Sequence, residues 1–223
     1  GRIHFIRPRQ DRLGYFHRRY FAAGQFLLQF MRFQAETAIS HADVIILITD
    51  LRTGITAADQ DVASMLLRSG KPLVLAVNKC DKPGDPPAEF YEFYNLGLGE
   101  PYGISALHGY GVGELLDAAY EYFPPADEEE EDADRIRVAL IGKPNVGKSS
   151  LLKLMVQHLK DTGVLPEQII EMNFESFDFH KMSADDVYRY VKERIITGKR
   201  MYLFFDELQR IKAWEDAVNA FRV

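Results

Sequence analysis

The chain of 223 residues lacks the features that define secreted and membrane proteins. Its single cysteine, Cys80, permits no intramolecular disulfide, which excludes a disulfide-stabilised scaffold and is typical of a reducing cytosol. No run of about 18 uncharged apolar residues occurs, so we expect no transmembrane helix and no membrane partner. The arginine-rich start lacks the apolar core of a signal peptide. The sequence therefore predicts a cytoplasmic protein.

Charge is unevenly distributed along the chain, although its formal net charge is only −6. Residues 1–32 contain seven arginines, no lysine and one acidic residue. An acidic run at 127–132 follows Pro124 and Pro125, and such a run predicts a solvated linker. The predicted segments are an unassigned basic segment (1–30), a first unit (31–123), the acidic linker (124–134) and a second unit (135–223).

Short apolar runs alternate with amphipathic segments on both sides of the linker. This alternation is typical of a parallel α/β sheet that helices cover on both faces. Two capping boxes, at Thr56 with Asp59 and at Ser183 with Asp186, predict helix starts, and Gly70 and Gly198 predict the matching ends. The predicted strands are 43–49, 72–77, 102–104, 136–141, 168–173 and 201–205.

A glycine-rich motif directly follows the strand predicted over 136–141. Residues 142–149, Gly-Lys-Pro-Asn-Val-Gly-Lys-Ser, fit the G-x-x-x-x-G-K-[S/T] pattern of phosphate-binding loops. Its glycines let backbone N–H groups and a helix N-terminus point at phosphate. Lys148 is expected to reach the β- and γ-phosphates, and Ser149 to hold Mg²⁺. The predicted contacts from this loop are Gly142, Asn145, Val146, Gly147, Lys148, Ser149 and Ser150.

A second motif, Asn78-Lys79-Cys80-Asp81, follows the strand predicted over 72–77. Ligands of open parallel sheets bind at the carboxyl ends of the strands. A carboxylate there can accept from the N1–H and 2-amino groups of guanine, a donor pair that adenine lacks. Backbone N–H groups of 105–107, after the next strand, can meet the guanine O6. The predicted GTP contacts here are Asn78, Lys79, Asp81, Ser105, Ala106 and Leu107.

From about residue 31 to residue 151 the chain resembles the Der (EngA) family of tandem GTPases, which assist maturation of the large ribosomal subunit in bacteria. The resemblance rests on four features: the sequence from Thr49 to Asp59, the guanine motifs, the acidic linker and the phosphate loop. It implies a P-loop GTPase that hydrolyses GTP with Mg²⁺ and has the large subunit and its rRNA, not DNA, as partner. Residues 31–123 would be the C-terminal half of one GTPase domain. The resemblance also implies that Asn145 helps to hold K⁺.

The last predicted strand, 201–205, ends in the acidic pair Asp206-Glu207. ATPases use such a pair, so Asp206 is expected to hold Mg²⁺ and Glu207 to polarise the attacking water, with Lys148 as the second catalytic residue. From Ser149 onward the sequence resembles ATPases of the AAA superfamily. This resemblance implies that ATP is a ligand and that residues 135–223 are the N-terminal half of a P-loop domain. The resembling stretches are Leu151-Leu-Lys-Leu154, Ile169-Ile-Glu-Met-Asn-Phe174 and Leu203-Phe-Phe-Asp-Glu-Leu-Gln209.

Several alternatives stay open at this point. A circularly permuted GTPase would unite Asp81 and Lys148 in one pocket, whereas an ATPase module would need only 136–223. A non-enzymatic RNA-binding protein is a further alternative. Residues 1–30 suit either an out-of-frame reading or a basic RNA-binding arm. A junction of two families inside the phosphate-loop helix would make the chain chimeric or mis-assembled.

Overall fold

The computed structural model describes residues 36–82, 84–123 and 137–221. The predicted basic segment 1–30 and the predicted linker 124–134 lie outside the described residues. Within the described ranges, no helix combines the length and the apolar character needed to cross a bilayer.

In the described residues, four parallel strands form the main sheet. They are β1 (Val44–Asp50), β2 (Leu73–Asn78), β3 (Pro101–Gly103) and β4 (Val138–Ile141), in the spatial order β3-β2-β1-β4. Every residue of β1 is buried. Its unbroken apolar run predicts this, because parallel strands are covered on both faces. The sheet thus unites three strands that precede the acidic segment with one that follows it.

A bidentate ion pair fixes β4 beside β1. The Arg137 side chain donates through Nε to Asp43 Oδ2 at 3.1 Å and through Nη2 to Oδ1 at 2.9 Å. The backbone N–H of Arg137 donates to the same carboxylate at 2.9 Å. Two parallel contacts define orientation as well as distance, so this pair stabilises one register of the two strands. The division into two partial domains at the acidic linker stays a prediction.

Helices pack on both faces of the main sheet, as the alternating pattern predicts. One face carries α1 (residues 36–41), α2 (Ala57–Ser69) and a 3₁₀ helix (Ala88–Leu96), and the other carries α3 (Val112–Tyr120) and α4 (Lys148–Asp161). Successive β1 side chains point to opposite faces, so Ile45 packs with the first group and Ile46 with the second. The capping box of Thr56 and Asp59 and the left-handed Gly70 bound α2 where the sequence predicts.

A second, two-stranded parallel sheet lies within residues 137–221. It consists of β5 (Ile169–Asn173) and β6 (Tyr202–Asp206), with α5 (Ala184–Lys192) and α6 (Trp214–Ala220) beside it; two short 3₁₀ helices are Pro166–Gln168 and Leu208–Arg210. Phe174, Val187 and Val191 are fully buried in its core. The parallel strands and covering helices of both sheets confirm the predicted α/β class.

One helix ends earlier than the sequence predicts. The capping box at Ser183 starts α5 as expected, but the helix stops at Lys192 instead of near Gly198, and Ile195 is exposed instead of inward. Residues 195–197 are Ile-Ile-Thr. Three β-branched side chains in succession lose side-chain freedom in a helix, which lowers helix propensity at this position.

Candidate nucleotide-binding site

The carboxyl ends of the main-sheet strands bring both sequence motifs to one edge. The phosphate loop follows β4, the guanine motif follows β2, and Ser105 lies just beyond β3. Because β1 separates β4 from β2, its last residue, Asp50, lies between the two motifs. Parallel sheets place their ligand sites at this edge.

Two glycines of the phosphate loop have no room for a side chain. A Cβ at Gly142 would lie 2.5 Å from the carbonyl oxygen of Ile48 in β1. A Cβ at Gly147, where φ is +100°, would lie 2.2 Å from Nδ2 of Asn78. Glycine is therefore required at both positions, once for close packing on β1 and once for contact with the guanine motif.

Asn78 connects three segments of the site through its side-chain amide. Its Nδ2 donates to the carbonyl oxygen of Val146 in the phosphate loop at 2.6 Å, and its Oδ1 accepts from the backbone N–H of Ala106 at 2.8 Å. The residue is only 4% exposed. Buried hydrogen bonds of this kind are retained because unpaired polar groups destabilise the fold. The predicted guanine motif and the predicted phosphate loop are therefore in direct contact.

Lys143 makes a second connection between the phosphate loop and the first unit. Its Nζ lies 3.0 Å from Oδ2 of Asp59 and 3.1 Å from Oγ1 of Thr56, the capping pair of α2. The Asp59 side chain is 2% exposed. Without Lys143, the negative charge of this buried carboxylate would lose its cationic partner. The ion pair therefore stabilises the packing of the loop against α2.

Lys148, the phosphate-loop lysine, curls back over its own loop. Its Nζ donates to the carbonyl oxygens of Gly142 at 2.7 Å and Lys143 at 3.0 Å. Burial lowers the pKa of Lys148, while the negative charges of Glu207 and Asp206 act in the opposite direction. Asp206, the last residue of β6, and Glu207 therefore act electrostatically on the phosphate-loop lysine.

Asp81 presents its carboxylate to two donors. Oδ1 accepts from the Ser105 hydroxyl at 2.7 Å, and Oδ2 accepts from Nη2 of Arg52 at 2.6 Å. These contacts, the Ser105 hydrogen bond foremost, hold the pKa of Asp81 below its ordinary value. These contacts favour the ionised form of the carboxylate. Leu107, two residues after Ser105, is 77% exposed.

Lys79 adopts a left-handed backbone, with φ at +70°, and reaches back to β1. Its Nζ lies 2.5 Å from Oδ2 of Asp50, a buried carboxylate at the end of that strand. Asp50 also accepts from the backbone N–H of Arg52 at 2.9 Å. Neither Asp50 nor Arg52 is predicted from the sequence as a site residue. The available signal for Asp50 is an acid at the carboxyl end of a buried parallel strand.

The remaining predicted residues occupy the mouth of the loop and the second sheet. Asn145, with φ at +62°, Ser149 and Ser150 are exposed around the start of α4. Asp206 ends β6, and Glu207 follows it in a left-handed conformation, with φ at +57°. Glu207 accepts from Nε2 of Gln209 at 2.7 Å. A donor of this kind fixes the direction of a carboxylate.

Comparison with family models divides the chain at the acidic segment. Residues 30–125 match the elongation factor Tu GTP binding domain, and residues 134–223 match an AAA domain. The two matches meet at the segment predicted as the linker. Their order along the chain agrees with the guanine motifs in the first unit and with the AAA-like text in the second.

Curated proteins similar to the chain carry the name GTPase Der. The Acetivibrio thermocellus protein is 55% identical over 126 residues, which are 56% of this chain and 29% of the relative. The Ruminiclostridium cellulolyticum protein is 46% identical over 165 residues, 74% and 37%. The Halalkalibacterium halodurans protein is 58% identical over 130 residues, 58% and 30%. The chain spans about a third of these relatives. The predicted resemblance to Der GTPases and the α/β P-loop NTPase fold class are confirmed.

Proposed function

We propose that the chain binds GTP in one composite site assembled from both sides of the acidic segment, and that it hydrolyses the bound nucleotide. The hydrogen bond from Asn78 Nδ2 to the Val146 carbonyl, 2.6 Å long, carries this proposal. It joins a guanine motif to a phosphate loop, so that sites for the base and for the triphosphate adjoin one another. Similarity to GTPase Der and to a GTP-binding domain model supports the guanine preference.

The base would bind at the ends of β2 and β3. Asp81 would accept from the N1–H and 2-amino groups of guanine, and the backbone N–H of Leu107 would meet O6, because the Ala106 N–H is already paired with Asn78. Ser105 favours the ionised form of Asp81 and orients its carboxylate through a 2.7 Å hydrogen bond. Lys79, fixed by Asp50, would flank the base. Asn78 would shape the pocket instead of contacting the base, because both ends of its amide are already paired within the protein.

The phosphates would bind at the start of α4. Backbone N–H groups between Gly142 and Ser150, except at Pro144, and the helix N-terminus would surround them. Lys148 would exchange its bonds to two loop carbonyls for phosphate oxygens. It would act as a catalytic residue by stabilising the charge that develops during phosphoryl transfer.

Two side chains offer oxygen ligands suited to a magnesium ion. Ser149 offers a hydroxyl and Asp206 a carboxylate, the oxygen ligands that Mg²⁺ prefers, and the Asp206 charge acts on the neighbouring Lys148. When bound, the ion would neutralise charge on the phosphate oxygens. Asn145 would supply an oxygen to K⁺, following the family resemblance. Glu207, directed by Gln209, would orient and deprotonate the attacking water as general base.

The cellular role follows the family resemblance alone. We propose that the chain acts in the cytoplasm in biogenesis of the large ribosomal subunit, with that subunit and its rRNA as partner. Neither DNA nor a membrane is part of the proposal.

Binding of fluorescent GTP and ATP to the wild type, Asp81→Asn and Lys148→Ala tests the composite site. We expect Asp81→Asn to weaken GTP binding about 10- to 100-fold, as for loss of a hydrogen bond to a charged group, and to leave ATP binding unchanged. Lys148→Ala should weaken both nucleotides. Asp117→Asn and Lys153→Ala, exposed positions on α3 and α4, are matched controls. GTP preference that survives Asp81→Asn, or GTP binding unaffected by Lys148→Ala, would overturn the proposal.

An ATPase activity of residues 137–221 is the second candidate. The effect of Glu207 and Asp206 on the pKa of Lys148, together with the AAA domain match, favours it. In that case ATP would bind as well as or better than GTP, independently of Asp81. Glu207→Gln should then abolish ATP turnover while retaining ATP binding, with the exposed Glu167→Gln as control. Equal ATP turnover in Glu207→Gln and Glu167→Gln would exclude this assignment.

A further inference from the structure

Arg52 forms an ion pair with the carboxylate that would recognise guanine. Its Nη2 lies 2.6 Å from Oδ2 of Asp81, and the two side chains are 68% and 21% exposed. Arg52 belongs to the turn between β1 and α2, outside both nucleotide motifs. The Ser105 hydroxyl already occupies a position on the other carboxylate oxygen, Oδ1.

The guanidinium offers Asp81 the same chemistry as guanine. Both groups are planar and donate N–H hydrogen bonds, and Arg carries in addition a positive charge that a carboxylate attracts. A bidentate guanine contact needs both oxygens of Asp81. With Ser105 on Oδ1 and Arg52 on Oδ2, each oxygen already accepts one hydrogen bond. Each oxygen can accept a second hydrogen bond, so the competition concerns the position beside Oδ2 that the Arg52 guanidinium occupies.

The backbone of Arg52 is held in place while its side chain remains exposed. Its N–H donates to Oδ1 of Asp50 at 2.9 Å, and the N–H of Leu51 donates to the carbonyl of Asn78 at 2.9 Å. The hydroxyl of Thr53 donates to the carbonyl of Asp50 at 3.2 Å. The guanidinium is thus tethered at the mouth of the guanine pocket, and its flexible, exposed side chain can leave Asp81 without moving the turn.

We propose that Arg52 competes with guanine for the Asp81 carboxylate and so limits how fast and how tightly a guanine nucleotide binds. This inference rests on the proposed function, because it takes Asp81 as the guanine contact. Arg52 is a specificity-determining residue that acts through Asp81. A nucleotide whose base does not use Asp81 meets no such competition, so the effect is confined to guanine.

A double-mutant cycle of Arg52→Ala and Asp81→Asn, measured by stopped-flow binding of fluorescent GTP and ATP, tests the competition. Exposed ion pairs are weak, so we expect Arg52→Ala to tighten GTP binding about two- to fivefold, mostly through a faster association rate. ATP binding should not tighten. Because loss of a positive charge by itself weakens binding of a triphosphate, a gain in affinity points specifically to relief of competition. Arg68→Ala, in the last turn of α2, is the control for net charge.

The cycle separates failure of this inference from failure of the guanine site. In the Asp81→Asn background, Arg52→Ala should accelerate GTP binding much less, since a neutral amide holds the guanidinium more weakly than a carboxylate does. If Asp81→Asn lowers GTP affinity but Arg52→Ala leaves it unchanged or weakens it, competition by Arg52 is wrong while the guanine contact stands. If Asp81→Asn itself has no effect on GTP, the proposed function fails first.

Discussion

Substitution Asn78→Ala is expected to separate the guanine motif from the phosphate loop. The change removes the donor to the Val146 carbonyl and the acceptor for the Ala106 N–H. Val146 and Ala106 are themselves buried, so water cannot replace the lost partner freely. Two buried backbone groups then remain unpaired.

The magnitude follows from those two groups. A buried donor or acceptor left unpaired costs about 1–3 kcal/mol, so the loss of both should lower the free energy of unfolding by about 2–6 kcal/mol. Domains of this size are typically stable by only about 5–15 kcal/mol, so the variant should be markedly less stable than the wild type. Asn78→Asp retains an acceptor for Ala106 but turns an oxygen towards the Val146 carbonyl. It should therefore also lose the contact with the phosphate loop.

Urea unfolding followed by circular dichroism measures the stability, and fluorescent GTP titration measures the site. Asn95→Ala is the matched control, because Asn95 is exposed on the 3₁₀ helix. Exposed substitutions usually change stability by no more than about 0.5 kcal/mol. If Asn78→Ala resembled Asn95→Ala in both assays, the hydrogen bonds of Asn78 would not hold the guanine motif and the phosphate loop together.

Three further outcomes are expected. Gly147→Ala should abolish GTP binding, because its Cβ would lie 2.2 Å from Asn78 Nδ2. The control Gly163→Ala, also at positive φ (+95°) but with no atom within 4 Å of the added Cβ, should bind GTP normally. An equal loss of GTP binding in both variants would contradict a steric requirement for glycine at position 147. Lys143→Ala should lower the free energy of unfolding, measured in urea, by about 1–3 kcal/mol, because buried Asp59 loses its cationic partner. A change as small as that of the exposed control Lys153→Ala would argue against stabilisation by the ion pair. Burial raises the pKa of Cys80, so iodoacetamide should react more slowly with Cys80 than with a free thiol near pH 8.5, and the rate should rise at higher pH. A rate equal to that of free cysteine would be incompatible with burial of the thiol.

Local structure was largely predictable because its signals lie within a few residues of one another. Buried β1 follows from its apolar run, and α2 follows from a four-residue capping box, Thr56 to Asp59, and a glycine at its end. The phosphate loop and the guanine motif follow from residue type and spacing. The early end of α5 is the exception, where a β-branched run outweighed the glycine signal at 198.

Long-range pairing was not predictable from the same signals. Asp43 and Arg137 are 94 residues apart, and Asn78 and Val146 are 68 apart, so no local pattern links them. A single site that unites Asp81 and Lys148 is only one of the alternatives that the sequence leaves open. The structure nevertheless brings β4 beside β1, because β4 offers a short apolar strand and an arginine that pairs with Asp43. Asp50 and Arg52 reach Lys79 and Asp81 because β1 pairs with β2.

Binding of xanthosine triphosphate shows whether one nucleotide site is built from both units. In Asp81→Asn, the amide can donate to the xanthine C2 carbonyl, so this variant should bind xanthosine triphosphate better than GTP, with one nucleotide per chain in a calorimetric titration. The double variant Asp81→Asn with Lys148→Ala should bind it far more weakly, because the same nucleotide needs the lysine of the second unit. If Lys148→Ala left the binding of xanthosine triphosphate unchanged, or if two nucleotides bound per chain, the two motifs would not share a site.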